Sequence, residues 1–144
     1  MYDRCLTAWS VPHFIFGAAF YSVLTWLPQW QSFKYVSFAI TLVVAAGWEI
    51  LELLLESYAL RQRSWGWVFV DVGGKGESLC NMISDTILAL MAHGILQCAT
   101  DSREMLSVSI VVSLWAALAL SNIVVAIIKY DIWKKQQKEQ NGKK

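Results

Sequence analysis

Charge is scarce in this chain. Asp, Glu, Lys and Arg make up only 16% of its 144 residues, against 56% hydrophobic residues and a mean hydropathy of +0.44. A soluble domain carries about 25% charge, so the shortfall argues against a water-soluble globule. Cysteine is also sparse: Cys5, Cys80 and Cys98 are widely spaced, odd in number and fit no zinc or disulfide spacing. They read as free thiols in apolar surroundings. The chain has no Gly-x-Ser-x-Gly elbow, no phosphate-cradling glycine loop and no cysteine–histidine pairing. It also lacks the Glu-x-x-His pair of carboxylate-bridged diiron bundles, which ranks that chemistry low. Nucleic acid binding finds no support beyond a short basic tail. No cleavable leader is expected, because Met1-Tyr2-Asp3-Arg4 has mixed charge and no small-residue cleavage site follows the first apolar run.

What the chain does have is long apolar runs and eight tryptophans, whose indoles favour membrane interfaces. Trp9–Leu27 forms the first run, with Pro12 placed where a helix's first turn tolerates a missing N–H. At helical rise it extends roughly 28 Å, close to the ~30 Å of a hydrocarbon core. Tyr35–Leu55 is the second run, rich in small residues (Ala39, Ala45, Ala46, Gly47) that let helices approach closely in lipid. Glu77–Leu96 is the third and the most polar. Leu106–Ile128 is the fourth, uncharged, with Asn122 as its one amide. Between the second and third runs, residues 57–75 are polar, with Trp65–Val70 reading as a short strand-like or interfacial segment. Asp71-Val72-Gly73-Gly74 then breaks regular structure. Residues 129–144 form a basic tail, frayed or extended as a surface helix. The expectation is an all-α integral membrane protein: a four-helix domain over 1–128, with spans near 9–27, 35–55, 77–96 and 106–128, then the tail.

Four spans put both termini on one side. That side would hold Arg4, Arg61, Arg63, Lys75, Lys129, Lys134, Lys135, Lys138, Lys143 and Lys144, against Lys34 and Arg103 opposite. Ten against two places the termini on the cytoplasmic or matrix side, in a bacterial or organellar inner membrane.

This orientation collects the unusual residues in one leaflet. His13 lies near the inner end of the first span. Glu49, Glu52 and Glu56 end the second, sharing a helix face at i, i+3, i+7. Glu77, Asn81 and Asp85 open the third as a stripe at i, i+4, i+8. A charged carboxylate at the centre of a bilayer costs roughly 2.5–3.5 kcal/mol on insertion scales. Something must therefore compensate: cations, protons, water or partner side chains. Glu49, Glu52, Glu77 and Asp85 are candidate ligands for a divalent metal, Mg²⁺, Ca²⁺ or Mn²⁺ ahead of iron or zinc. His13 and Glu49 are candidate catalytic groups, His13 as ligand or general base, and Asn81 is placed to orient a ligand. Arg61, Arg63 and Lys75 are candidates for meeting the phosphate of a lipid or another phosphorylated headgroup. Glu56 is expected at the water interface with Arg61 or Arg63, and His93 falls toward the other leaflet in a structural role. Lys134, Lys135 and Lys138 suit anionic lipid, at about 1 kcal/mol each.

Three functions remain open on these residues. One is a metal-assisted enzyme or binding protein for a lipid headgroup. Another is an accessory subunit of a larger membrane complex, its polar cluster an internal hydrogen-bond network. The third is an ion or proton carrier, opposed by an outer half that offers only His93 and Asn122.

The motifs Pro12-His13-Phe14-x-x-Gly17, Gly47-Trp48-Glu49-x-x-Glu52 and Gly76-Glu77-Ser78-x-x-Asn81-x-x-Ser84-Asp85 resemble a family of uncharacterised bacterial inner-membrane proteins, a set that includes the YjdF-like and VanZ-like membrane proteins. The resemblance covers roughly residues 10–97. Leu53 stands where that pattern has asparagine, and Glu77 where it has aspartate. The resemblance implies a polytopic membrane protein and carries no settled reaction.

Overall fold

The computed structural model describes residues 6–27, 34–62, 78–100 and 106–141, and all of its regular structure is helical. Four helices follow in order: α1 (Ser10–Leu24), α2 (Lys34–Gln62), α3 (Leu79–Ala99) and α4 (Val108–Asn141). Trp65–Val70, Glu77, Arg63 and Lys75 lie outside the described residues.

α1 is shorter than the apolar run that encodes it. Its 15 residues rise roughly 22 Å, short of a full bilayer core. Both ends tighten into turns. At the start, the Thr7 carbonyl accepts the Ser10 N–H, and the Thr7 hydroxyl accepts the Trp9 N–H. Pro12 falls in the first turn, where its missing N–H has no partner to lose. At the other end, i→i+3 bonds from Trp26 to Val23 and from Leu27 to Leu24 continue the coil. The Trp26 indole N–H then donates to the Leu106 carbonyl at 3.1 Å, tying this end of α1 to the start of α4.

α2, α3 and α4 are each long and apolar enough to cross a membrane, over Tyr35–Leu55, Leu79–Ala99 and Val108–Lys135. α2 does not stop at the glutamates but continues to Gln62, so residues 57–62 are helix rather than loop. α3 starts at Ser78, whose hydroxyl accepts the Asn81 N–H at 3.2 Å. Such a cap satisfies one of the orphan donors at a helix start and contributes about 1 kcal/mol. α4 has 34 residues and carries the basic tail to Asn141 as one continuous helix.

The helices alternate in direction. α1 packs against all three others, α3 against both α1 and α2, and α4 principally on α1. At one end of the bundle the start of α1 meets the later part of α4, where Lys129 Nζ sits 4.9 Å above the Trp9 ring. At the other end Tyr21 of α1 meets Thr100 after α3, hydroxyl to hydroxyl at 2.8 Å.

The interior is inverted relative to a soluble protein. α2 buries Ser37, Thr41, Ala45 and Glu49 at i, i+4, i+8 and i+12. α3 buries Asn81, Asp85, Ala89 and His93 at the same spacing. The large apolar side chains point outward instead, as with Ile83, Ile87, Met91 and Ile95 on α3 and Val112, Leu120 and Ile127 on α4. Soluble monomers rarely expose contiguous apolar patches beyond a few hundred Å². A chain with three such helices and a polar interior has the make-up of a multi-pass membrane protein.

Candidate functional site

Polar side chains from α1, α2 and α3 meet near the Trp9–Lys129 end. His13 Nδ1 lies 2.9 Å from Glu49 Oε1, and His13 Nε2 lies 3.8 Å from Glu52 Oε2. The imidazole therefore stands between two carboxylates contributed by successive turns of α2. Asp85 approaches from α3. Asn81 Nδ2 donates to Asp85 Oδ2 at 2.9 Å, one helical turn away. The i, i+4 spacing of Asn81 and Asp85 makes that clamp possible, because such pairs are neighbours on a helix surface.

Burial is near complete. Glu49 is 1% exposed, Asp85 0% and His13 7%. One ligand atom from each of these three residues lies within 4.8 Å of the other two. Atoms that share the coordination sphere of one hard cation, bound at about 2.4 Å, lie no more than about 4.8 Å from one another, and these three meet that limit. Glu49 Oε2 and Asp85 Oδ1 have no hydrogen-bond partner among the described residues. A buried carboxylate oxygen without a donor is costly, and its free lone pairs are what a cation would take.

This geometry coincides with a match of residues 3–132 to the family described as "Protein of unknown function (DUF2585)". The chain belongs to this family. The match covers most of the 144 residues and includes α1, α2, α3 and most of α4. No curated protein and no solved structure matches the chain.

In this DUF2585 protein, the structure brings His13, Glu49, Glu52, Asn81 and Asp85 together. Glu77 lies outside the described residues, as do Arg63, Lys75 and the side chains of Arg61 and Glu56. Cys98 is a free thiol, as its apolar surroundings suggest, but Cys80 is disulfide-bonded to a partner outside the described residues. The reading of three free thiols is corrected at Cys80.

His93, expected in a structural role away from the cluster, has polar partners of its own on α2. The ring is fully buried, with Nδ1 2.8 Å from Thr41 Oγ1 and Nε2 3.4 Å from Ser37 Oγ. Tyr21 and Phe38 meet it edge-on at centroid distances of 4.8 and 5.4 Å. Ser37 and Thr41 stand four residues apart in an otherwise apolar run, and that spacing was the available signal.

Proposed function

We propose that this DUF2585 protein binds a divalent cation at His13, Glu49 and Asp85 and uses it to engage the phosphate of a lipid or other phosphorylated headgroup. The observation that carries this reading is the buried convergence of these three side chains from three helices, with two carboxylate oxygens that lack donors. With His13 neutral, as a ligand must be, Glu49, Glu52 and Asp85 carry three negative charges when fully ionised. A divalent ion would offset two of these charges. The ring of His13 lies four residues from Trp9, roughly 6 Å along the helix, so the site sits about one turn below an indole and an ammonium of interfacial type. An ion at that depth is within reach of a headgroup. Arg61, Arg63 and Lys75 are the side chains proposed to meet the rest of the phosphate, and Asn81 holds Asp85 in position.

The test is direct. Purified protein, stripped with chelator, is titrated with Mg²⁺, Mn²⁺ and Ca²⁺ by calorimetry and assayed for bound metal. One ion per chain is expected, lost in Glu49→Gln and in Asp85→Asn. Asn81→Ala is expected to weaken binding by roughly 10–100-fold, as for other residues that orient a ligand. A protein that binds none of the three ions sinks the proposal. The close His13–Glu49 and Asn81–Asp85 contacts favour a second reading, an internal network that locks the bundle of an accessory subunit. In that case the same variants lower the melting temperature while no ion binds at all.

The reading includes four crossings, with the short α1 as the first, and both termini on the inner side. The ten-to-two basic excess supports that side. The Cys80 disulfide favours the opposite one, because disulfides persist in oxidising compartments. Fusing alkaline phosphatase to the C-terminus separates the two: an inactive fusion is expected, and an active one reverses the orientation. The His13, Trp48-Glu49 and Asn81-Asp85 motifs support a place beside the YjdF-like and VanZ-like membrane proteins.

A further inference from the structure

α4 is the least covered of the three membrane-length helices: only 6% of its most apolar stretch is buried, and α1 is its principal neighbour. The line that meets α1 includes Val111, which packs on the Tyr21–Leu24 cluster, and the buried Val125. About a quarter-turn round the helix runs a second line: Val108, Val112, Trp115, Ala119, Asn122 and Ala126, spaced alternately by four and three residues. Its first four members are exposed and its last two half-buried. A line with that 3.5-residue period is the seam along which a second helix packs with a left-handed crossing. The spacing alone does not single it out. α2 and α3 also expose apolar lines, as at Ile40 and Val43 or Ile83 and Ile87, and lipid covers those as well as protein does. The difference is Asn122, near the middle of the Val108–Lys135 span. Its Nδ2 donates to the Leu118 carbonyl at 2.8 Å, and the Ser121 hydroxyl donates to the same carbonyl at 2.8 Å. One amide hydrogen and the Oδ1 lone pairs have no further partner among the described residues. Lipid offers them none, and an unmet polar group in hydrocarbon is costly.

We propose that this face of α4 is a homodimer interface, on which the α4 of a second copy of this chain packs with Asn122 against its own counterpart. Two copies in one membrane share an orientation, so the two-fold axis that relates them runs along the membrane normal and the two α4 helices lie parallel. A residue beside such an axis meets its own copy. Asn122 is the seam residue that can use this, because an amide both donates and accepts: each free Nδ2 hydrogen reaches the other copy's Oδ1, and two bonds close the pair. Ala119 and Ala126, about one turn to either side, are small enough for the two backbones to come that close. Val108, Val112 and Trp115 extend the contact toward the start of the helix. A partner of another sequence would need an amide at the same depth, whereas a second copy has it by identity. A single asparagine in an apolar seam also fixes register, because any slip along the seam strands both amides. The interface uses none of His13, Glu49 or Asp85, so it stands or falls apart from the cation site.

The experiment uses membranes containing the full chain with Cys98→Ser, which removes the exposed thiol of α3. A cysteine is added by Ala119→Cys, on the seam, or by Leu120→Cys, one residue on and 62% exposed on another face of α4. Oxidation with copper phenanthroline should convert Ala119→Cys to a band of twice the chain mass, at several-fold the yield of Leu120→Cys, and Cys98→Ser alone should give none. Dimer strength is then read by energy transfer between labelled copies diluted in phosphatidylcholine–phosphatidylglycerol vesicles. Asn122→Leu should weaken the dimer about tenfold, and Asn122→Gln, which keeps an amide, should weaken it less. Ala126→Phe, which holds the backbones apart, should abolish it, and it decides the question if Asn122→Leu fails to fold. Equal crosslinking from both cysteine positions overturns the proposal, as does a chain that stays monomeric under lipid alone. A crosslinked band of another mass in place of the doubled one overturns the second copy as the occupant. A dimer unchanged by both Asn122→Leu and Ala126→Phe overturns this seam as its interface.

Discussion

His13→Ala is expected to destabilise the bundle by about 3–5 kcal/mol, the usual cost of removing one partner from a buried charged pair. The imidazole stands 2.9 Å from Glu49 and 3.8 Å from Glu52. Without it, Glu49 faces Asp85 across a cavity closed to water, both of them essentially unexposed. Most of the loss is the penalty of stranded negative charge rather than of a missing contact. The double variant His13→Ala/Glu49→Gln should therefore recover a substantial part of it, because an amide carries no charge. Thermal melts in detergent, followed by circular dichroism, measure both. A His13→Ala protein that melts with the wild type would show that the cluster is held by something other than the imidazole. So would a double variant whose loss is the sum of the two single losses.

Gly17→Ala adds a single methyl group and is expected to rank second. The added Cβ would overlap the Ala89 carbonyl oxygen and come within 2.6 Å of the carbonyl carbon and 2.8 Å of the Cα. These are backbone atoms of α3 and cannot rotate aside, so α1 and α3 must separate. Overpacking of a close-packed interior costs roughly 1–3 kcal/mol, and a clash with backbone belongs at the upper end. Gly47→Ala is the matched control. A Cβ at Gly47 meets nothing within 4 Å, and alanine is favoured over glycine inside a helix by up to about 1 kcal/mol. Gly17→Ala should lower the melting temperature, and Gly47→Ala should leave it unchanged or raise it. Equal behaviour of the two would refute the close helix crossing.

The contrast between these glycines shows what the sequence could reveal. Hydropathy alone located three long helices, because a run of some twenty apolar residues has few other uses. The stripe Asn81–Asp85 was also legible, since polar residues every fourth position inside a span must face protein or water. The meeting of His13 with Glu49 followed once alternating helices were assumed. The rest depended on contacts between helices. Nothing in the sequence distinguishes Gly17, pressed against α3, from Gly47, which faces open space. Ser37 and Thr41 looked like ordinary residues of an apolar run, because hydroxyls bonded to their own helix are tolerated there. Their i, i+4 spacing hints at a shared face, and the partner of that face, His93, is given only by the packing of α2 on α3. The length of α1 was overestimated for a related reason: composition marks where a chain is apolar, but hydrogen bonds decide where its helix ends.

A bundle whose large side chains face outward and whose small and polar ones face inward should tolerate mutation in the reverse of the usual order. In a water-soluble core, leucine and isoleucine are the sensitive positions. Here Ile83, Ile87, Met91 and Ile95 contribute bulk toward the lipid, and one apolar residue serves there as well as another. The discriminating positions are an alanine, a glycine, a serine or a threonine, residues ordinarily regarded as filler. A saturation scan of α3 should therefore find its intolerant positions on one helix face, at Asn81, Asp85, Ala89, Ala92 and His93.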